Sequence, residues 1–177
     1  MESIKNELLE SLETKLKEDD GIGEMSLFTA DELGAPMDVL RAEVAEFGPD
    51  LVSVLGEFFF IPFEDEELLY FTTVLTLSST VPKEAVPDVA AAVARLNYYL
   101  PCGCYALGDD DQNLIYRCTA LIDGSDDREH QAASVSNTAF ASLSIAEKFL
   151  GYLLLVLKNE ISVDEMVDMM KGGNTPE

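Results

Sequence analysis

The sequence is poor in positive charge, and this scarcity argues against two classes of partner. Lysine and arginine together number 11 against 34 aspartates and glutamates, which gives a formal net charge of -23 at pH 7. A surface with this charge repels the phosphates of nucleic acids and of anionic lipid headgroups. We therefore expect the protein to bind neither nucleic acid nor a membrane surface.

The scarcity of basic residues is greatest in the first half of the chain. No lysine or arginine occurs between Ala42 and Pro82, although the same stretch contains many acidic residues. One side of the protein is therefore expected to be strongly negative. Such a side could attract basic or disordered partners, or it could serve only to keep the protein soluble. The sequence leaves both interpretations open.

Long apolar segments and a secretory signal are also lacking. The longest apolar run, from Phe149 to Leu157, is about half of the roughly 20 residues that a membrane-spanning helix needs. The first residues lack the basic start and apolar stretch of a signal peptide. The three cysteines are an odd number, which favours reduced thiols over a disulfide framework. These features predict a soluble, cytoplasmic protein.

Residues with catalytic or metal-binding chemistry are few. Three cysteines, Cys102, Cys104 and Cys118, lie in apolar, strand-like sequence, so we expect them to be buried structural thiols. A metal or redox site would be the alternative, but no histidine that could serve as a further ligand lies nearby in the sequence. His130 is the only histidine and is expected at the surface, without a nucleophile that it could activate. We therefore assign no catalytic, cofactor-binding or metal-binding residue and predict that the protein is not an enzyme.

One acidic turn resembles the start of a calcium-binding loop. Asp109, Asp111 and Asn113 have the D-x-D-x-N spacing, but Leu114 occupies the position of the required glycine and Ala120 that of the bidentate glutamate. A solvated hairpin turn is the better interpretation, because aspartate and asparagine are common in turns.

Hydrophobic periodicity predicts one domain over residues 1–177 with an α+β fold and a twisted antiparallel sheet of about five strands. Residues 21–36 are expected to be irregular, with a short strand over 25–28 as an option. The core spans about 37–159. Residues 37–47 fit either helical or strand periodicity, and we choose a strand because the turn Gly48-Pro49-Asp50 follows. In chain order we predict a helix over about 3–18; strands over 37–47, 52–62 and 68–77; a helix over 83–100; strands over 102–107 and 113–122; a long helix from about 126 to 159; and a short helix over about 162–171.

The helix predicted over 83–100 has two contrasting faces. Its apolar face would pack on the sheet, whereas its opposite face combines small residues with two tyrosines, an arrangement that allows a second helix to approach closely. Alanine is also simply the best helix former, so the pattern alone does not decide between the two interpretations. The predicted interface consists of Asp88, Ala91, Ala92, Arg95, Tyr98 and Tyr99.

Several short segments resemble the YbjN-like proteins and, more remotely, the type III secretion chaperones that share their architecture. The resemblance spans roughly residues 37–170. It rests on the segment Gly56 to Pro62, on Leu68 to Phe71, on Leu96-Asn97, on Gly103, on Leu114 to Arg117 and on Ile161-Ser162. These residues carry structural rather than catalytic signatures.

The resemblance implies a small acidic α+β protein, usually dimeric. Secretion chaperones of this shape bind unfolded segments of client proteins and often dimerise through the helix between the third and fourth strands, which corresponds here to 83–100. The present chain is longer than typical secretion chaperones and has an additional C-terminal helix.

Two functions follow from these observations as hypotheses. The first is a non-enzymatic cytoplasmic adaptor or chaperone-like regulator that binds a protein client or a second copy of itself. The second is a small-ligand sensor or regulator, which would need a pocket between the long helix and the sheet.

Overall fold

The computed structural model describes residues 2–63, 67–78, 80–108 and 113–173. It has an α+β fold in which one antiparallel sheet of six strands is combined with helices. The elements follow the chain as α1 (Glu2–Leu16), β1 (Ile22–Phe28), α2 (Ala30–Leu33), β2 (Val39–Phe47), β3 (Val52–Ile61), β4 (Leu68–Ser78), α3 (Val86–Leu96), β5 (Cys104–Leu107), β6 (Leu114–Asp123), α4 (Arg128–Leu157) and α5 (Val163–Gly172). The predicted fold class is thus confirmed.

The strands lie in the order β1-β2-β3-β4-β6-β5. Strands β2, β3 and β4 form an antiparallel meander, and the hairpin of β5 and β6 extends the sheet by pairing β6 with β4. The strand considered over 25–28 exists as β1, which pairs with β2 and begins already at Ile22. The strand interpretation of 37–47 is confirmed by β2.

Each central strand has one buried side, as its alternating sequence predicts. Phe58, Phe71, Leu75 and Tyr116 are among the fully buried residues of this inner face. They form one hydrophobic cluster with apolar residues of the helices, including the α4 stripe from Val135 through Leu153. Helices α1, α3 and α4 therefore cover the inner face of the sheet, and α5 packs against α3 and α4.

Helix α4 is the main support of this layer. Its N-cap is Asp127, whose side chain accepts a hydrogen bond from the backbone N–H of His130. By length and composition alone α4 could also cross a membrane; in this fold it lies against β4, β6 and the neighbouring helices. The last helix, α5, begins with a capping box formed by Ser162 and Glu165.

Two helices differ from the prediction. Helix α3 is shorter than 83–100, because Pro87 belongs to its first turn, where proline is favoured, and residues 97–99 form a turn. Helix α2 was not predicted; it is a single turn capped by Thr29 and Glu32 and closed by Gly34, whose positive φ of 61° suits glycine.

Candidate functional site

The predicted interface residues are divided between α3 and the turn that follows it. Asp88, Ala91 and Arg95 are exposed on α3. Ala92 has no exposed surface, because it points into the core beside the buried Val89 and Leu96. Its assignment to the interface was therefore wrong.

The two tyrosines of the prediction lie just beyond the end of α3. Tyr98 is 85% exposed and Tyr99 is 37% exposed, and their rings meet edge to face with centroids 5.2 Å apart. Exposed tyrosines offer a large rigid contact area together with a hydroxyl group, a combination that is enriched in protein interfaces. We define the α3 surface as Asp88, Ala91, Arg95, Tyr98 and Tyr99.

The α3 surface is held firmly in place. Helix α3 contacts α4, α5 and β5. Between α3 and the tyrosine pair, the side chain of Asn97 forms two hydrogen bonds with the backbone of Tyr105 in β5, at 2.9 Å and 2.8 Å. A partner would therefore meet a preorganised surface, which lowers the entropic cost of binding.

The cysteines do not form the buried group that the sequence predicted. Cys102 and Cys104 are exposed and only Cys118 is buried, so the prediction was wrong for two of the three. The hydroxyl of Tyr116 donates a hydrogen bond of 3.0 Å to the carbonyl oxygen of Cys102. Burial raises the pKa of the Cys118 thiol. Among the described residues no group of three or more His, Cys, Asp or Glu side chains could hold a metal ion.

His130 lies at the surface, as predicted. Its Nδ1 is 2.7 Å from Oδ2 of Asp127, and this hydrogen bond together with the negative charge raises the pKa of the imidazole. The pair belongs to the first turn of α4. The acidic turn compared above with a calcium loop falls largely on residues 109–112, outside the described part of the chain.

A small hollow of about 240 Å³ lies between the sheet and α4, lined by Leu143 and Glu147 of α4 and by residues of β1 and β2. Two other hollows could also accept a ligand. The first, of about 210 Å³, is formed by α1, residues 36–38 and the end of β3, with Lys5, Asn6 and Asp38 as its polar groups. It is smaller than the roughly 300–1,000 Å³ of typical ligand pockets. The second is an open groove of about 570 Å³ between α1 and α4, beside Phe140.

The outer face of the sheet is a second extended surface, and it was not singled out in the sequence. Its side chains lie opposite the helices in four rows that cross the strands. We name these rows the open sheet face: Ile61-Tyr70-Leu121; Phe28-Val39-Phe59-Thr72-Thr119; Ser26-Arg41-Glu57-Val74-Arg117-Cys104; and Glu43-Leu55-Thr76-Ile115-Ala106. Leu121 is 60% exposed and Leu55 is 40% exposed. Large apolar side chains therefore face solvent here.

The open sheet face also differs from the rest of the protein in charge. Its four rows contain two arginines, Arg41 and Arg117, and two glutamates, Glu43 and Glu57, so the formal charge of these rows is zero. Glu24 and Asp123 add two carboxylates at the edges of the face. Arg41 is paired with Glu57 at 2.9 Å, and Glu43 accepts a hydrogen bond from Ser53. Arg117 is exposed, and no salt bridge is recorded for it within the described residues.

The chain matches no known protein family, no curated protein and no solved structure. The resemblance to YbjN-like proteins therefore remains a prediction from the sequence.

Proposed function

We propose that this protein is a non-enzymatic, cytoplasmic adaptor or chaperone-like regulator that binds a client protein through the α3 surface. The observation that carries the proposal is the exposed pair of Tyr98 and Tyr99 beside the exposed Ala91 and Arg95 of α3. Such aromatic pairs frequently supply most of the binding energy in protein interfaces, together with arginine. Arg95 provides an exposed arginine side chain on the same surface.

The remaining properties of the chain support a binding role. The side chains of the α3 surface bind through packing, stacking and hydrogen bonds, and none of them is a strong nucleophile. The net charge of -23 favours fast association with a basic or disordered client segment. Exposed Cys102 and Cys104, with no disulfide between them, suit a reducing compartment such as the cytoplasm.

The test compares three forms of the full chain in affinity purification from native cells followed by mass spectrometry. The variant Ala91→Glu/Tyr98→Glu places two carboxylates on the α3 surface. The matched control Ala133→Glu/Asn137→Glu adds the same charge at exposed positions of α4. Thermal unfolding shows whether each form is folded.

We expect one or more proteins to be captured by the parent and by the α4 control, and to be lost with the α3 variant. If all three forms capture the same proteins, the client does not bind the α3 surface. If the parent captures no specific protein, the adaptor function itself is contradicted.

A further inference from the structure

We infer that the open sheet face binds a second copy of this chain, so that two sheets pack face to face in a symmetric dimer. The proposed client site lies on α3, and the contact between the two copies is a separate surface. The inference does not depend on a client.

Charge identifies the occupant of this face. A basic client would be drawn to the acidic parts of the surface and would gain little from a neutral one. Two copies that each carry a formal charge of -23 repel each other, and the repulsion is smallest where the contacting surface is itself neutral. The four rows, with two arginines against two glutamates, meet this condition.

The arrangement of residues on the face is self-complementary. A two-fold axis parallel to β4 would place β3 of one copy over β6 of the other, with corresponding rows superposed. Strand directions would then be aligned, as in ordinary sheet-on-sheet packing. In this arrangement Val74 meets Val74, Leu55 meets Ile115, and Ile61 meets Leu121 of the second copy.

The same axis pairs the charges. Glu57 of each copy would lie opposite Arg117 of the other, because both belong to the same row on either side of Val74. Arg117 would thereby obtain a carboxylate partner, and Glu57 would be shared with Arg41 of its own chain. The dimer contact would then have an apolar centre around Val74 with one Glu57–Arg117 pair on each side.

The area of the face is sufficient for a stable dimer. The four rows hold 19 residues, and at about 7 Å by 4.8 Å for each residue they cover roughly 640 Å² per copy. Stable interfaces contribute about 600–1,000 Å² from each partner.

Sedimentation velocity across a dilution series tests the inference on the full chain. We expect a dimer for the parent, and an increase in its dissociation constant of about 100-fold or more for Val74→Glu, which brings two carboxylates together at the axis. The single α4 variant Ala133→Glu, which adds one carboxylate as Val74→Glu does, and the α3 variant Ala91→Glu/Tyr98→Glu should remain dimeric. Thermal unfolding shows whether each variant is folded.

Mixing two single variants gives a test that a folding defect cannot imitate. Arg117→Glu alone sets two carboxylates against each other, and Glu57→Arg alone sets two guanidinium groups against each other, so each variant should be a monomer. Mixed together, they restore opposite charges across both contacts and should form a heterodimer. The inference would be overturned if the parent were a monomer, or if its dimer survived Val74→Glu or dissociated only in the α3 variant. It would also be overturned if Arg117→Glu and Glu57→Arg stayed monomeric when mixed.

Discussion

The side-chain amide of Asn97 takes the place of a neighbouring strand for Tyr105. Its Nδ2 donates a hydrogen bond of 2.9 Å to the carbonyl oxygen of Tyr105, and its Oδ1 accepts a bond of 2.8 Å from the N–H of the same residue. Strand β5 lies at the edge of the sheet, where backbone groups would otherwise be unpaired. One side chain therefore closes this edge and links it to the end of α3.

Replacing Asn97 with alanine should destabilise the protein by about 1–3 kcal/mol, because two backbone groups lose their partner. Asn97→Asp keeps the acceptor for the N–H but sets a carboxylate oxygen against the carbonyl oxygen of Tyr105, so its loss should be at least as large. Urea unfolding followed by circular dichroism measures both. Equal stability of the parent and the alanine variant would show that water replaces the amide without cost.

Two neighbouring threonines of β4 should have opposite effects on stability when each is replaced by valine. The hydroxyl of Thr73 is buried and has no hydrogen-bond partner among the described residues, so Thr73→Val should raise the free energy of unfolding by about 1 kcal/mol. The hydroxyl of Thr72 is 2.9 Å from that of Thr119 across the strands, so Thr72→Val should lower it by about 0.5–1 kcal/mol. Chemical denaturation of the two variants tests the contrast, and a change of the same sign in both would contradict it.

Much of the fold could be predicted because its strands and long helix have clear periodicity. In β4 the alternation of Leu69, Phe71 and Leu75 with polar residues indicates the buried side directly. Alternation shows that a strand has two sides, but it does not show on which sides helices will pack. The open sheet face was missed for this reason.

Errors at the candidate sites have local causes. Ala92 is three residues after Val89 and four before Leu96, a spacing that already places it on the buried side of α3. Cys102 and Cys104 were expected in a buried strand, but β5 begins only at Cys104 and lies at the edge of the sheet. The outer side of an edge strand remains exposed unless another element covers it.

The thiols should differ in reactivity toward a disulfide reagent. Cys102 and Cys104 are exposed and should react rapidly near neutral pH, whereas Cys118 is buried and burial raises its pKa. Because the thiolate is the reactive form, the reaction of Cys118 should remain slow and should accelerate as the pH rises. Absorbance titration with the reagent should show two rapidly reacting thiols in the parent and two in Cys118→Ser. Three fast thiols in the folded parent would contradict the burial of Cys118.

The single histidine allows the N-terminus of α4 to be followed by NMR titration. The hydrogen bond and charge of Asp127 raise the pKa of His130, so Asp127→Asn, which retains a good N-cap, should lower that pKa toward its ordinary value of about 6.5. Asp126→Asn is the control, because Asp126 affects His130 only weakly through its charge, and it should lower the pKa less.

The same pair predicts how stability depends on pH. The raised pKa of His130 means that its stabilising contribution is fully present below the unfolded pKa and is lost as the pH rises through the folded value. The pKa of Asp127 is lowered, chiefly by the N–H of His130, so its contribution is present above its unfolded pKa and is lost as the pH falls through the folded value. Both contributions coexist between about pH 4 and pH 6.5. The difference in unfolding free energy between the parent and Asp127→Asn should therefore be largest in that window and decrease on either side. A difference that does not change with pH would show that the two side chains do not interact in solution.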